Sequence, residues 1–555
     1  MTNLEVASIL ERIADLLQLS EENPFKIRAY RNAARSICNL QSDLHELYEQ
    51  QRLKEIPGVG KTVQAQIEEI LTTGTSAFYQ ELTQKIPESI LDMLAVPGLG
   101  PKTVIQLFNR LGIDNLDDLE AAARAGRLRE IPGLGEKTEA RVLEGIKLLR
   151  AASGKYSIGL ALPLAEKLVH HLNKQLPGVQ VQIVGSLRRG KPLVSDVDIL
   201  AGCQDSSLVE AVLADYSGID LREKQADRLA GYLAYGIPFE IILVRPREFH
   251  YHLFTSTGSK AHRVRILDAL QTASPASFAS EAQLYRHLHM AYIPPELRED
   301  RGEIDAAREN RLPQLVELRD IKGDLHVHSN WSDGSCSLAE LAEAARLCGF
   351  KYIAITDHSH SLPITGGLNP ERLNLQTQLI EQLNRQQPGL HILRGIEVDI
   401  LKDGSLDLSD KDLEQLDIVI ASIHSYFRLN REDQTRRLLR AIENPHVDII
   451  GHLTGRMLNK RSGYDFDLER ILRAAAQNRK VLEINAHPSR LDIDEQVARR
   501  AVSLGIKIAI NSDAHNLTEM DLLRYGVFNA RRGWVEAADV INTWELKDIL
   551  AYFQS

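Results

Sequence analysis

Between residues 324 and 515, seven short apolar runs follow one another, and each ends on a histidine, a carboxylate or an asparagine. The run 324–328 ends in His326 and His328, 352–357 in His358, 391–396 in Glu397, 417–423 in His424 and 447–451 in His452. The run 480–484 is followed by Asn485 and His487, and 506–512 by Asp513 and His515. Stretches with helical spacing, such as 338–348 and 495–504, separate them. This alternation predicts a parallel sheet wound into a βα barrel. In such a barrel the C-terminal strand ends share one rim. A chain without a site on that rim has no reason to place His, Asp or Glu at nearly every strand end. His326 and His328 stand two apart, on one face of a strand. Asp333 is close enough to fold back from the loop that follows. Imidazole nitrogen with carboxylate oxygen is a donor set for zinc, manganese or iron.

The chain has 555 residues, too many for one core, so three or four domains are expected. It contains no long uncharged apolar run, which predicts no membrane span. Residues 1–10 lack the basic start of a signal peptide. Cys38, Cys203, Cys336 and Cys348 lie far apart with no Cys-x-x-Cys, which argues against a disulfide framework or zinc knuckle and fits a reducing cytoplasm. A net charge of −10 argues against a surface coated in basic patches. It leaves backbone-amide sites and short basic runs free to hold phosphates.

The first 150 residues read as helices. Residues 4–17 place Leu4, Ile9, Ile13, Leu16 and Leu17 on one stripe, and 25–35 form a basic stretch. One pattern then occurs three times: Ile56-Pro57-Gly58-Val59-Gly60-Lys61, Val96-Pro97-Gly98-Leu99-Gly100-Pro101-Lys102 and Ile131-Pro132-Gly133-Leu134-Gly135-Glu136-Lys137. Proline ends the incoming helix. Gly58 and Gly60, Gly98 and Gly100, and Gly133 and Gly135 permit a tight turn and close backbone approach. The next helix begins with unpaired N–H groups that suit a phosphate oxygen, and Lys61, Lys102 and Lys137 add charge. The pattern resembles the helix-hairpin-helix motif, which implies a sequence-independent grip on DNA. The alternative is three plain connectors in a helical bundle.

A different signature lies between 155 and 265. An amphipathic helix is followed by a strand, 179–184, that ends in Gly185-Ser186-Leu187-Arg188-Arg189. Seven residues on comes Asp196-Val197-Asp198. Strand periodicity puts Asp196 and Asp198 on one face. Gly185 would let a triphosphate approach the backbone, with Ser186 and Arg189 bonding its oxygens. Paired aspartates can hold two metal ions that align a hydroxyl with a phosphorus.

Taken together, these motifs identify the chain as similar, over essentially its whole length, to bacterial family X DNA polymerases with a C-terminal PHP (polymerase and histidinol phosphatase) domain. The resemblance implies five parts: a lyase-like helical domain with a helix-hairpin-helix (1–80), helix-hairpin-helix fingers (81–152), an α+β nucleotidyltransferase palm (153–245), a thumb with linker (246–318) and an α/β seven-stranded PHP barrel (319–555). It gives the palm Asp196, Asp198 and Glu240 as catalytic carboxylates binding Mg2+ or Mn2+, with Gly185, Ser186, Arg189 and Gly258 at the nucleotide. It gives the PHP rim the ligands His326, His328, Asp333, His358, Glu397, His424, His452, Asp513 and His515, for up to three Mn2+ or Zn2+ ions. The implied reaction there is phosphodiester hydrolysis, a 3′→5′ exonuclease. Asp357 is expected to orient a ligating imidazole, and Arg456, His487 and Arg490 to meet substrate phosphate unless they are plain surface charge. The implied partners are gapped, nicked or 3′-recessed DNA and deoxynucleoside triphosphates, for a cytoplasmic monomer.

The palm departs from the family pattern. Glu240 replaces an aspartate. Thr255 and Ser256 replace the two aromatic-type residues before Thr257-Gly258-Ser259. Arg263 stands for an asparagine, and Gln66 falls where the lyase lysine would be. A misplacement of about 1 Å at a reacting centre costs roughly 100-fold, so a weak or lost polymerase is expected, and no imine-forming lyase at Gln66. A nuclease with the palm kept as a DNA-binding scaffold is the alternative. A small-molecule phosphoesterase fits less well, because its substrate needs no backbone grip.

Overall fold

The computed structural model describes residues 3–38, 44–94, 96, 99–152, 154–214, 216, 218–270, 278–362, 365–386 and 389–553. It falls into two units, Met1–Gly154 with Ala234–Gly236, and Lys155–Leu233 with Ile237–Ser555.

The helices of Met1–Gly154 share one apolar core. Val6, Leu10, Ile13 and Leu17 line one side of Asn3–Leu19 and join Ile67, Ile70, Val104, Leu107 and Ile146 there. The three repeated segments adopt one turn: the N–H groups of Val59, Leu99 and Leu134 donate to the carbonyls of Ile56, Val96 and Ile131. Gly58 and Gly133 take φ of 82° and 88°, a region that favours glycine. A Cβ at Gly58 would also crowd Asn32. Gly98 lies outside the described residues. Gly60 and Gly100 stand immediately before the helices Lys61–Thr73 and Pro101–Leu111, and no side chain caps their first turns. Gly135 stands before Glu136–Ala152. Lys61 and Lys137 are exposed, and Lys102 also lies in the first turn of its helix.

Besides a two-stranded pair, Tyr156–Ser157 with Leu193–Val194, the other unit carries two sheets. The smaller has five strands in the order Val181–Ile183, Val197–Ala201, Pro238–Leu243, Arg228–Leu233 and Ile219–Lys224. Only the pair Val197–Ala201 with Pro238–Leu243 is parallel. The helix Ile158–Gln175 covers it, with Ile158, Leu162, Ala165 and Leu168 in the shared core.

The larger sheet has seven parallel strands whose spatial order is their chain order: Gly323–Val327, Tyr352–Ile355, His391–Asp399, Ile418–Ser422, Ile449–Ile450, Val481–Asn485 and Ile508–Asn511. A bridge between Val327 and Ala514, with a 2.8 Å bond from His328 N to Ala514 O, nearly closes it into the expected barrel. The third strand runs past the expected end at 396, because Val398 and Asp399 find partners in Ala421 and Ser422. Successive residues alternate across the sheet. Tyr352, Ala354, Leu393, Ile418, Ile420, Ile449, Val481 and Ala509 fill the lower interior, where Ile549 of the helix Leu546–Phe553 joins them. The polar residues are left to the upper rim. Among the described residues no helix is long and apolar enough to cross a membrane.

Candidate metal centre and nucleotide cleft

The barrel rim gathers all nine expected ligands. Glu397 is at their centre. Its Oε2 lies 2.9 Å from His358 Nδ1, 3.5 Å from His326 Nε2 and 3.6 Å from His328 Nε2, and its Oε1 lies 3.1 Å from His452 Nε2 and 3.4 Å from His424 Nε2. Asp513 Oδ1 stands 3.1 Å from His328 Nε2 and 3.6 Å from His326 Nε2. Asp333 does fold back, to 3.6 Å from His358 Nε2 and 3.5 Å from His515 Nε2. Three overlapping groups have donor atoms close enough to share an ion: His328, Asp333, His358 and His515; His326, His328 and Asp513; His358, Glu397 and His424. His452 touches the last group through Glu397.

Several of these atoms are buried with no hydrogen-bond partner: His326 Nε2, both nitrogens of His328 and Glu397 Oε2. Orphaned polar atoms at this depth cost about 1–3 kcal/mol each, and divalent cations are the partners that nitrogen and carboxylate donors fit. The electrostatics agree. Burial works against a charged ring at His326, yet Glu483, Glu397 and Asp513 outweigh it and raise its pKa well above the usual value. Burial together with the neighbouring His358 and His515 pushes His328 down to about 3, so its ring is neutral. Burial opposes ionisation of Glu397 and Asp513, but the surrounding imidazoles overcome it and hold both carboxyls well below the ordinary range.

Two residues that hold the rim were not anticipated. Glu483 lies 2.6 Å from His326 Nδ1 and accepts the His452 N–H at 2.8 Å. Asp399 lies 2.9 Å from His424 Nδ1. Each sits on the inward row of its strand, two residues from a rim residue (Asn485, Glu397). A carboxylate interrupting a buried apolar run was the available signal. Asp357, expected beside an imidazole, faces the other side of its strand. It accepts from Ser329 N at 2.8 Å, from the Ser329 and Ser332 hydroxyls at 2.5 Å and from Gln376 Nε2 at 2.6 Å, so it fixes the loop that carries Asp333. Arg456 is likewise not free for a phosphate. Its guanidinium donates to the carbonyls of Arg490 and Leu491 and pairs with Asp494. Arg490 stands 4.0 Å from Asp513 Oδ2 at the rim, and His487 is tied to Ser489.

In the five-stranded sheet, Gly185, Ser186, Arg189, Asp196, Asp198 and Gly258 line an open cleft of about 460 Å³ with Lys155, Lys191, Lys260 and Arg263. Gly185 has a φ of 63°, and a Cβ there would collide with the Asp198 carboxylate, so only glycine serves. Burial, Asp196 and Glu240 together push Asp198 up to about 6, as clustered carboxylates do to one another. Glu240 is level with Asp198 on the adjacent parallel strand, but its Oε1 pairs with Arg228 Nε at 2.7 Å, in a neighbouring hollow. Arg189 is buried, pairs with Glu299 at 2.9 Å and donates to Thr257 O at 2.7 Å. These contacts link residues 110 and 68 positions apart and could not be read from local sequence. Arg263 donates to the carbonyl of Thr255 at 3.3 Å.

Three family descriptions match. A helix-hairpin-helix domain matches residues 1–76, a SAM-like helix-hairpin-helix tandem 90–148 and a PHP domain 324–487. The chain is 34% identical over 572 aligned residues to a DNA polymerase/3′-5′ exonuclease PolX of Bacillus subtilis, covering 100% of both chains. A probable phosphatase of Thermoanaerobacter sp. is 36% identical over 203 residues, 35% of this chain and 78% of its own. Another, from Vibrio parahaemolyticus, is 31% identical over 235 residues, 40% of this chain and 90% of its own.

Proposed function

The chain belongs to the bacterial DNA polymerase/3′-5′ exonuclease PolX family, family X polymerases with a C-terminal PHP domain, and on that premise we propose that it trims 3′ ends of gapped, nicked or recessed DNA at the barrel rim. The polymerase palm in this reading is weak. The observation that carries it is the contrast between the two sites. The rim offers eight donors in groups able to share an ion, with His452 beside them on Glu397, and several of the atoms are buried and orphaned, whereas Glu240 and Arg189 of the palm are engaged with Arg228 and Glu299.

His326, His328, Asp333, His358, Glu397, His424, His452, Asp513 and His515 would hold the cations, manganese or zinc. Bound there, such cations supply an activated water and neutralise charge developing on the phosphate. The protein's part is orientation. Glu483 and Asp399 fix the Nδ1 sides of His326 and His424, which leaves their Nε2 atoms facing the centre. Asp357 fixes the Asp333 loop, and Arg490 stands where it can meet a phosphate oxygen. The helix-hairpin-helix turns would hold the backbone through Gly58, Gly60, Lys61, Gly98, Gly100, Lys102, Gly133, Gly135 and Lys137. Their three-fold use favours DNA over a small phosphoester. At the palm, Mg2+ or Mn2+ would sit on Asp196 and Asp198, with a deoxynucleoside triphosphate at Gly185, Ser186, Arg189 and Gly258.

One reaction tests this reading: gapped DNA with manganese, with and without deoxynucleotides, resolving shortened from extended products. Shortened products predominate if it is right. Extension without shortening would reverse the assignment of the two sites.

Metal loading should depend on pH. Burial favours a neutral ring at His424, but Glu397 and Asp399 outweigh it and hold the metal-free ring's pKa up to about 10. At His515, Asp333 and Asp513 likewise outweigh burial and hold it up to about 9. A ring must lose its proton to ligate. Below these values a proton must therefore leave as the ion enters, and affinity rises with pH between 6 and 9, by about tenfold per unit for each proton displaced. Calorimetric manganese titrations in buffers of different ionisation enthalpy read both the affinity and the proton release. A pH-independent affinity would contradict the expected proton linkage.

A further inference from the structure

Beside the rim stands an aromatic side chain that neither the ligand set nor the fold uses. Tyr426 lies two residues past His424. It is 57% exposed, and its backbone holds a φ of 52°, a conformation that non-glycine residues seldom adopt. Such strain persists only where the surroundings impose it, and here they do. Arg437 is 1% exposed and spends its guanidinium on main-chain carbonyls: Nη1 donates to Ser425 O at 2.9 Å and Nε to Leu401 O at 2.8 Å, and Nη2 donates to Ile400 O. A buried charge without a carboxylate partner is expensive. This one clamps the loop before Tyr426 to the loop before Lys402. The result is a corner in which Lys402 Nζ lies over one face of the Tyr426 ring, 5.8 Å from its centre. Asp399, on the strand leading into Lys402, bonds the His424 ring, so the corner is tied directly to the metal ligands.

We propose that Tyr426 is a stacking platform for a nucleobase flanking the scissile phosphate, with Lys402 facing the adjoining backbone phosphate. The inference rests on the nuclease reading of the rim. It explains an exposed ring held in a strained backbone two residues past a rim histidine, and it makes the site prefer a nucleic-acid strand to a bare phosphoester. Stacking of one base on an aromatic side chain contributes about 1–3 kcal/mol and tolerates any base. The platform would therefore supply affinity without sequence preference.

The test uses the full-length protein with manganese and single-stranded oligonucleotides that carry either a normal base or a tetrahydrofuran abasic analogue, at the 3′-terminal or the penultimate position. The wild type should use the base-bearing strand about tenfold better, through KM, at one of the two positions. Tyr426→Leu should bring that ratio close to one at the same melting temperature, Tyr426→Phe should keep it, and Lys402→Ala should raise KM for both strands. A ratio that Tyr426→Leu leaves at the wild-type value for both positions overturns the inference alone. A wild type that degrades none of the strands overturns the nuclease reading and the inference together.

Discussion

Glu397→Gln should reduce manganese-dependent degradation of a 3′-recessed oligonucleotide by at least about 100-fold, while leaving DNA binding in place. Changes to residues that merely support metal ligands cost about 10- to 100-fold, and among the described residues Glu397 is the only carboxylate that reaches His326, His328, His358, His424 and His452 at once. Glutamine keeps the shape and removes the charge. The five rings would then face an amide, whose NH2 cannot ligate, so bound manganese counted by mass spectrometry should fall with the activity. The grip on DNA is assigned to the helix-hairpin-helix turns, far away in sequence, and a gel-shift on the same substrate should be unchanged. If Glu397→Gln retained both full activity and the full metal complement, the rim would not be the hydrolytic centre.

The barrel and the donor residues on its rim could be read from sequence because two simple rules act together. Alternation sends every second residue of a strand inward, and a barrel collects the strand ends at one rim. Residues such as His358, His424 and Asp513, each directly after an apolar run, satisfy both. The same alternation explains what was misjudged. Thr356 and His358 share a row, so Asp357 between them must point outward, to the loop serines. Glu483 sat inside a run that reads as strand, and Asp399 lay just past the expected end of another. Their roles emerged only when residues 157 and 25 positions away supplied the imidazoles. The helix-hairpin-helix turns were legible for a different reason: proline and glycine restrict the backbone locally, whatever lies around them. Arg189 was the least legible. Its motif points to a phosphate, yet its partners Glu299 and Thr257 come from distant segments, and no spacing rule reports them.

Glu240→Asp should raise gap-filling synthesis by about 10- to 100-fold over the wild type. The two parallel strands set Asp198 and Glu240 side by side, so the backbone already places a third carboxylate next to the pair. The extra methylene of glutamate lets its head reach Arg228, 2.7 Å away, in a hollow that Asp196 shares but Gly185 and Ser186 do not line. An aspartate at 240 falls short of that guanidinium and turns its charge toward Asp198. Two consequences should appear together. A third carboxylate closing on Asp198, already pushed up to about 6 by burial, Asp196 and Glu240, should strengthen metal binding, seen as a lower magnesium requirement for extension. Asp198→Ala should reduce extension to background in either form, which locates the gain at the palm and not at the rim. Thr255, Ser256 and Arg263 are unaltered in this variant, so the size of the gain separates the carboxylate from the nucleotide pocket. A gain of a few-fold would assign most of the deficit to the pocket wall. No gain, with efficient extension by the wild type, would mean that Glu240 serves as it stands and that its pairing with Arg228 opens when DNA and nucleotide enter.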